Sequence, residues 1–162
     1  MNTKQFNSKI LELADSLYRL AKSILQDEYA PQDAVQDLNL KLWEKRDDLE
    51  KIENITGFVL RSMRNLCLDK LRMEHKNDEL SVNIEYNEAD PHTQLEKKDM
   101  ATRATILINR LPELQRTIMR MRDVEGMEFD EIAEITLLTE NAVRVNLSRA
   151  RQKIREQLLN NN

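Results

Sequence analysis

Glycine occurs only twice in the 162 residues, at Gly57 and Gly126, and proline three times, at Pro31, Pro91 and Pro112. An average chain of this length would carry roughly 11 glycines and about 8 prolines. Tight turns depend on those residues, so a many-stranded sandwich or barrel is excluded. With two glycines there is also no glycine-rich loop to cradle a nucleotide phosphate. Cysteine occurs once, at Cys67. An intramolecular disulfide is therefore impossible, which fits a reducing compartment. No apolar run approaches the ~20 residues needed to span a bilayer. The first residues, Met1 to Phe6, lack the apolar core of a secretion signal. The expectation is a soluble, cytoplasmic protein with no membrane insertion.

The chain is instead rich in good helix formers, with Leu, Glu, Arg, Ala and Lys among its abundant residues. The formal net charge is -4, but its distribution says more than its sum. Residues 1–72 carry 12 basic and 12 acidic side chains, 73–99 carry 3 and 8, and 100–162 carry 10 and 9. The middle part also loses helical periodicity. The reading is an all-α protein of two small helical domains, 1–72 and 100–162, joined by an acidic flexible linker at 73–99. Within that linker, Val82-Asn-Ile84-Glu-Tyr86 alternates apolar and polar residues and suits an extended conformation.

In the first part, Ile10, Leu13, Ala14, Leu17, Leu20, Ala21 and Ile24 recur at helical spacing, with Ser8 as the expected N-cap. A second helix is expected from near Pro31 through Trp43. A third begins near Asn54, runs to Arg72, and gathers Ile55, Phe58, Val59, Ser62, Met63 and Leu66 on one face. In the last part, helices are expected at about 99–109, from Pro112 to about Arg122, from Asp130 to Ile135, and from Glu140 to about Leu158. Thr139 caps the last of these.

Three constellations stand out. A short helix, a turn at Thr136-Leu-Leu138 and a longer helix follow the helix-turn-helix plan. From Asn141 to Arg155 the second helix holds Arg144, Arg149, Arg151, Lys153 and Arg155 and no acid. Ala142, Val143, Leu147, Ala150 and Ile154 face the core at that spacing. Arg144, Val145, Ser148 and Arg149 are left outward at the end a recognition helix presents to the major groove. The second constellation is Arg61, Arg64, Asn65, Leu68 and Arg72, one face of the third helix and opposite its apolar one. Such a face can track a phosphate backbone or a single strand. The third is Asp33, Gln36, Asp37, Leu40 and Glu44, an acidic face with an apolar centre. It suits either helix-dipole stabilisation or docking of a basic partner.

Catalytic chemistry has no candidate residue set. His75 and His92 lie 17 residues apart in the linker with no second cysteine to complete a zinc site. Cys67, on a helix and without a nearby histidine, reads as a buried thiol. No cofactor and no small-molecule substrate is implied.

Together these segments resemble the extracytoplasmic-function group of the sigma-70 family of bacterial RNA polymerase sigma factors. Asp33-Ala-Val-Gln-Asp-Leu-Asn-Leu-Lys-Leu-Trp43 is similar to the core-polymerase-binding helix of that family's region 2. Gly57-Phe-Val-Leu-Arg-Ser-Met-Arg-Asn65-Leu-Cys-Leu-Asp69-Lys-Leu-Arg72 is similar to its helix for the promoter -10 element. Leu111-Pro-Glu-Leu-Gln-Arg116, Phe129-Asp-Glu-Ile-Ala133 and Ala142-Val-Arg-Val-Asn-Leu-Ser-Arg-Ala-Arg151 resemble region 4, which reads the -35 element. Two departures are visible. Glu128 stands where the family often has a capping Ser or Thr, and Phe58 where a Trp is usual near the start of the -10 helix.

The resemblance implies binding to core RNA polymerase, at its clamp helices and flap, and to promoter DNA. It also implies an anti-sigma partner. The implied core-binding residues are Asp33, Gln36, Asp37, Leu40 and Trp43. Those for the -10 element are Asn54, Phe58, Arg61, Arg64, Asn65 and Arg72, with a base pocket at the loop Asp47 to Asn54 and the start of the next helix. Those for the -35 element are Thr139, Asn141, Arg144, Val145, Ser148, Arg149, Arg151 and Lys153. The acidic linker would thread the polymerase's RNA channel. The alternative reading is a helix-turn-helix regulator that acts without the polymerase core.

Overall fold

A computed structural model of the chain describes residues 1–81 and 99–160, with side chains described for all of these except 78–81. The extended segment expected at 82–86 lies outside the described residues. The elements, in order, are α1 (Thr3–Ile24), α2 (Ala30–Glu44), α3 (Arg46–Leu49), α4 (Ile55–Ser81), α5 (Met100–Asn109), α6 (Glu113–Met119), a π-helical turn (Arg120–Val124), α7 (Phe129–Thr136) and α8 (Glu140–Asn160). The described residues contain no strand.

α1 begins earlier than expected. Asn2 accepts from the Gln5 backbone N–H at 2.8 Å and Gln5 answers with its side chain, closing a capping box, so the first turn forms without Ser8. The extra turn carries Phe6 into the core, where its ring meets Trp43 edge-on at 5.1 Å. Leu13, Leu17, Leu20, Ala21 and Ile24 follow on the buried face. α2 starts with Pro31 inside its first turn, where the missing N–H costs nothing. After Lys45 the chain makes one further helical turn, α3, in what reads in the sequence as the start of a loop, and Leu49 plugs it to the core.

α4 is capped by Asn54, whose Oδ1 accepts from the Gly57 N–H at 3.0 Å. It runs nine residues beyond Arg72, into the segment expected as linker. Residues 72–77 are exposed, so no buried face marks them as helical. They extend a helix already nucleated, and propagation is cheap for such residues. The buried face of α4 is Val59, Leu60, Met63, Cys67 and Leu68, with Ile55, Phe58 and Leu66 packed partly against it. Leu68 therefore lies in the core, not on the basic face where spacing places it.

In the last part, Asp99 caps α5 through the Thr102 N–H at 2.8 Å. The segment after α6 widens into a π turn, with the Glu125 N–H donating to the Arg120 carbonyl five residues back at 2.9 Å. The turn closes at Gly126, whose φ of +68° lies in the left-handed region that glycine occupies without strain. It aims Arg120 inward, 8% exposed, to donate to the Ser23 carbonyl of α1 at 3.2 Å and to Asn109 Oδ1. Burial, helped by neighbouring Arg116, lowers the Arg120 pKa to about 10.

The two halves are not separate bodies. α1 packs on the π turn and α4 packs on α7, and the buried side chains of both halves form one continuous cluster.

Candidate nucleic-acid interface

The helix-turn-helix is built from α7 and α8. Glu128 starts α7 with no side-chain cap bond, as its residue type implies. Ile132 and Ile135 of α7 and Val143 and Leu147 of α8 are buried, which fixes the two helices against each other. The turn is made by Leu137 in the left-handed region, φ 60°, with its side chain 75% exposed. Glycine is the usual solution to that backbone requirement; here leucine meets it. Thr139 then caps α8, its Oγ1 accepting from the Ala142 N–H at 3.1 Å.

With Val143, Leu147, Ala150 and Ile154 inward, the first turns of α8 expose Asn141, Arg144, Val145, Ser148 and Arg149. Arg144, Val145, Ser148 and Arg149 are the outward set expected from spacing, and Asn141 joins them. Two further contacts shape it. Phe129 is sandwiched between Arg144 and Arg122, whose guanidinium carbons sit 4.0 and 4.3 Å from the ring centroid. Cation–π stacking of this kind holds a long side chain in place. Beside it, an open groove of about 600 Å³ is lined by Phe129, Arg144, Ser148, Arg151 and Arg155. Arg151 pairs with Asp123, Nε to Oδ2 at 2.9 Å, and that bond keeps its guanidinium more firmly charged. Lys153 donates to Gln115 at 3.1 Å.

The second surface is the outer face of α4. Asn65 and Arg72 are exposed and Arg61 and Arg64 are half-buried. Arg72 pairs with Asp69 one turn earlier. Arg64 Nε is buried without a hydrogen-bond partner. Between α2, α3 and α4 lies a groove of about 300 Å³. Phe58, Ile52 and Leu66 line it together with Lys41, Lys45 and Asn65 and the carboxylates of Asp48 and Asp69. Cys67 is buried beside Met63, and burial pushes its thiol up to about 12, away from the reactive thiolate form.

The third surface is α2. Asp33, Gln36, Asp37 and Leu40 are all exposed, Leu40 by 61%. Asp37 reaches Lys70 of α4 at 2.6 Å. Trp43, grouped with them by the family resemblance, turns inward instead. It is half-buried between Phe6 and the Arg46 guanidinium, which stacks at 4.1 Å. The extra turn of α1 brings Phe6 there, and nothing in α2 alone announces it.

The sequence also did not show how α7 meets the first half. Glu134 accepts from Asn54 Nδ2 at 2.9 Å and lies 3.6 Å from Arg61 Nη1. Arg61 also donates to the Glu134 carbonyl at 3.3 Å. One turn earlier, Glu131 accepts from Ser16 of α1 at 2.8 Å. These partners stand 73 to 115 residues apart, beyond the reach of periodicity or local motif.

Known proteins match this arrangement. The description "Sigma-70 region 2" covers residues 10–77 and "Sigma-70, region 4" covers residues 106–154. The probable RNA polymerase sigma factor RfaY of Xanthomonas campestris pv. campestris is 27% identical over 151 residues. That alignment takes in 86% of this chain and only 37% of RfaY. The ECF RNA polymerase sigma factor SigM of Mycobacterium tuberculosis is 26% identical over 138 residues, 85% of this chain and 69% of SigM. Among solved structures, the sigma factor RpoE of Bartonella quintana, crystallised with the anti-sigma factor NepR, superposes with a TM-score of 0.65 at 23% identity. It covers 96% of this chain and 98% of RpoE, a likeness of fold. With region 2 in its first half and region 4 in its last, in family order, the chain belongs to the extracytoplasmic-function group of the sigma-70 family.

Proposed function

We propose that this chain binds core RNA polymerase and directs it to promoters by reading their -10 and -35 elements. The observation that carries the reading is the pairing in one chain of two surfaces with complementary tasks. The first turns of α8 present Arg144, Val145, Ser148 and Arg149 to solvent. Arginine bonds guanine bidentately and valine packs on a thymine methyl, so this set suits duplex readout in the major groove. The face and groove of α4 suit a single strand: Arg61, Arg64 and Arg72 for phosphates, Asn65 and Phe58 for a base taken out of the stack. Arg151 and Lys153, already engaged by Asp123 and Gln115, are backbone contacts at most.

The exposed acids of α2 around Leu40 would dock on a basic, partly apolar surface of the polymerase. Residues 1–72 and 100–162 then act as two promoter-reading units bridged by the acidic segment between them. The chain works in the cytoplasm, carries out no covalent chemistry of its own, and is open to control by an anti-sigma partner. No helix among the described residues is long and apolar enough to cross a membrane.

Co-purification with core polymerase tests the core-binding half of this reading. The wild-type chain should form a one-to-one complex, and Asp37→Arg should weaken it about tenfold or more by reversing a charge in the docking face. A normal complex from Asp37→Arg removes that face from the account. A chain that binds duplex DNA tightly and alone, protecting a symmetric site, would favour the regulator reading instead.

A further inference from the structure

Arg144, proposed to read a base, owes its place to a residue of another helix. Its guanidinium carbon lies 4.0 Å from the centre of the Phe129 ring, and that of Arg122 lies 4.3 Å from the same centre. Two like charges do not share one face of a ring, so the arginines take opposite faces. Arg122 is fixed from behind: it donates to the Met127 carbonyl at 2.9 Å and lies 3.7 Å from Glu128 Oε2. Phe129 opens α7 and packs partly against the core. Arg144 has one other partner among the described residues, Glu140 at 4.0 Å, and both side chains are more than half exposed. An ion pair that long and that well solvated restrains a side chain little. The ring is therefore the principal restraint on Arg144.

We propose that Phe129 is a specificity-determining positioning residue: its ring holds the Arg144 guanidinium where the N–H edge meets a guanine of the -35 element, while Phe129 itself touches no base. The inference rests on the reading of α8 as the helix that enters the major groove. A ring engages a guanidinium through its face and takes up none of its N–H donors. No donor of Arg144 is hydrogen-bonded among the described residues, so the fork that bonds guanine N7 and O6 stays open. An unrestrained arginine on a helix surface samples many rotamers, and ordering it on DNA offsets part of what the new bonds contribute. A side chain already stacked has lost that freedom before DNA arrives, and more of the bond energy then appears as discrimination between bases. Glu128 and Glu140, one beside each arginine, offset the repulsion between the two cations that share the ring. Phe129 has no polar atom with which to bond a base, so it acts on base choice only through Arg144.

A promoter library randomised through the -35 element, transcribed by core polymerase with the full chain and read by sequencing the transcripts, tests this. Arg144→Ala should erase the preference for guanine at one position and so identify the base pair that Arg144 reads. Phe129→Leu should lower the preference at that same position by about two- to fivefold, the worth of an exposed cation–π contact, and leave the other positions unchanged. Phe129→Tyr, which keeps the ring, should retain the wild-type profile. The double variant Phe129→Leu/Arg144→Ala should match Arg144→Ala alone, because the ring acts through that arginine. In the free protein the ring should displace the Arg144 side-chain proton resonances upfield, and Phe129→Leu should return them to their ordinary positions. Phe129→Met repeats both measurements if the leucine variant does not fold. An unchanged profile in Phe129→Leu overturns the proposal, as does a common loss on every library member with the base profile intact, which a packing role alone would give. An Arg144→Ala profile identical to that of the wild type also overturns it, and leaves promoter choice by the chain in place. A wild-type chain whose transcripts show no base preference at -35 removes the promoter reading and the positioning role with it.

Discussion

Leu137 holds a backbone conformation that costs a residue with a Cβ roughly 1–2 kcal/mol. Its exposed side chain recovers little of that. Leu137→Gly should therefore stabilise the chain by about 1 kcal/mol and raise the Tm by about 2–4 °C in a calorimetric scan. No gain, or a loss, would show that the Leu137 side chain contributes packing that its exposure does not suggest. Arg149, exposed on α8 without a protein ion pair among the described residues, is the cleanest probe of base reading. Arg149→Ala should lower promoter use by about tenfold or more, with folding and core binding unchanged. Cys67 supplies a pH signature. Its folded pKa of about 12 lies above the ordinary value of 9.0, so the fold retains a proton that the unfolded chain loses. Its contribution is intact below pH 9 and is lost as pH rises from there toward 12, at about 1.4 kcal/mol per pH unit. Denaturant melts at pH 8 and 10.5 should show that decline, and Cys67→Ala should flatten it.

At the scale of elements, caps and periodicity did most of the work that sequence can do. Asn54, Thr139 and Pro31 mark their helices where residue chemistry places them. Ser8 did not, because Asn2 and Gln5 close a better cap, with its N-cap six residues upstream. Asn2→Ala should accordingly cost about 1 kcal/mol in a denaturant melt, while Ser8→Ala should be neutral within a few tenths. α4 shows where periodicity fails in both directions. Leu68 falls opposite the apolar stripe by spacing and yet is buried, because α4 is covered from more than one side, by α1 and α2 and by α7. Beyond Arg72 the helix continues with no buried face, so no pattern can reveal it. The π turn, Arg120–Val124, falls where the sequence predicts the end of the helix that starts at Pro112. Its purpose, aiming Arg120 at α1, depends on a partner 97 residues away.

At the scale of the molecule, the outward side chains of α8 and the exposed acids of α2 were legible because each surface is made by one helix. What was not legible is the docking of the two halves, which turns on single side chains such as Glu134, Glu131 and Arg120 meeting distant partners. The near-neutral halves also find their place here. With a net charge of -4 the chain has little long-range attraction for DNA on its own, so the polymerase must supply most of the affinity. The central claim is that this chain confers promoter choice on a polymerase that lacks it. The direct measurement is transcription of fragmented bacterial genomic DNA by core RNA polymerase with and without the chain, with the RNA 5′ ends mapped. The account predicts discrete start sites that appear only with the chain and share upstream elements at -10 and -35. Start sites that are the same with and without the folded chain would contradict it.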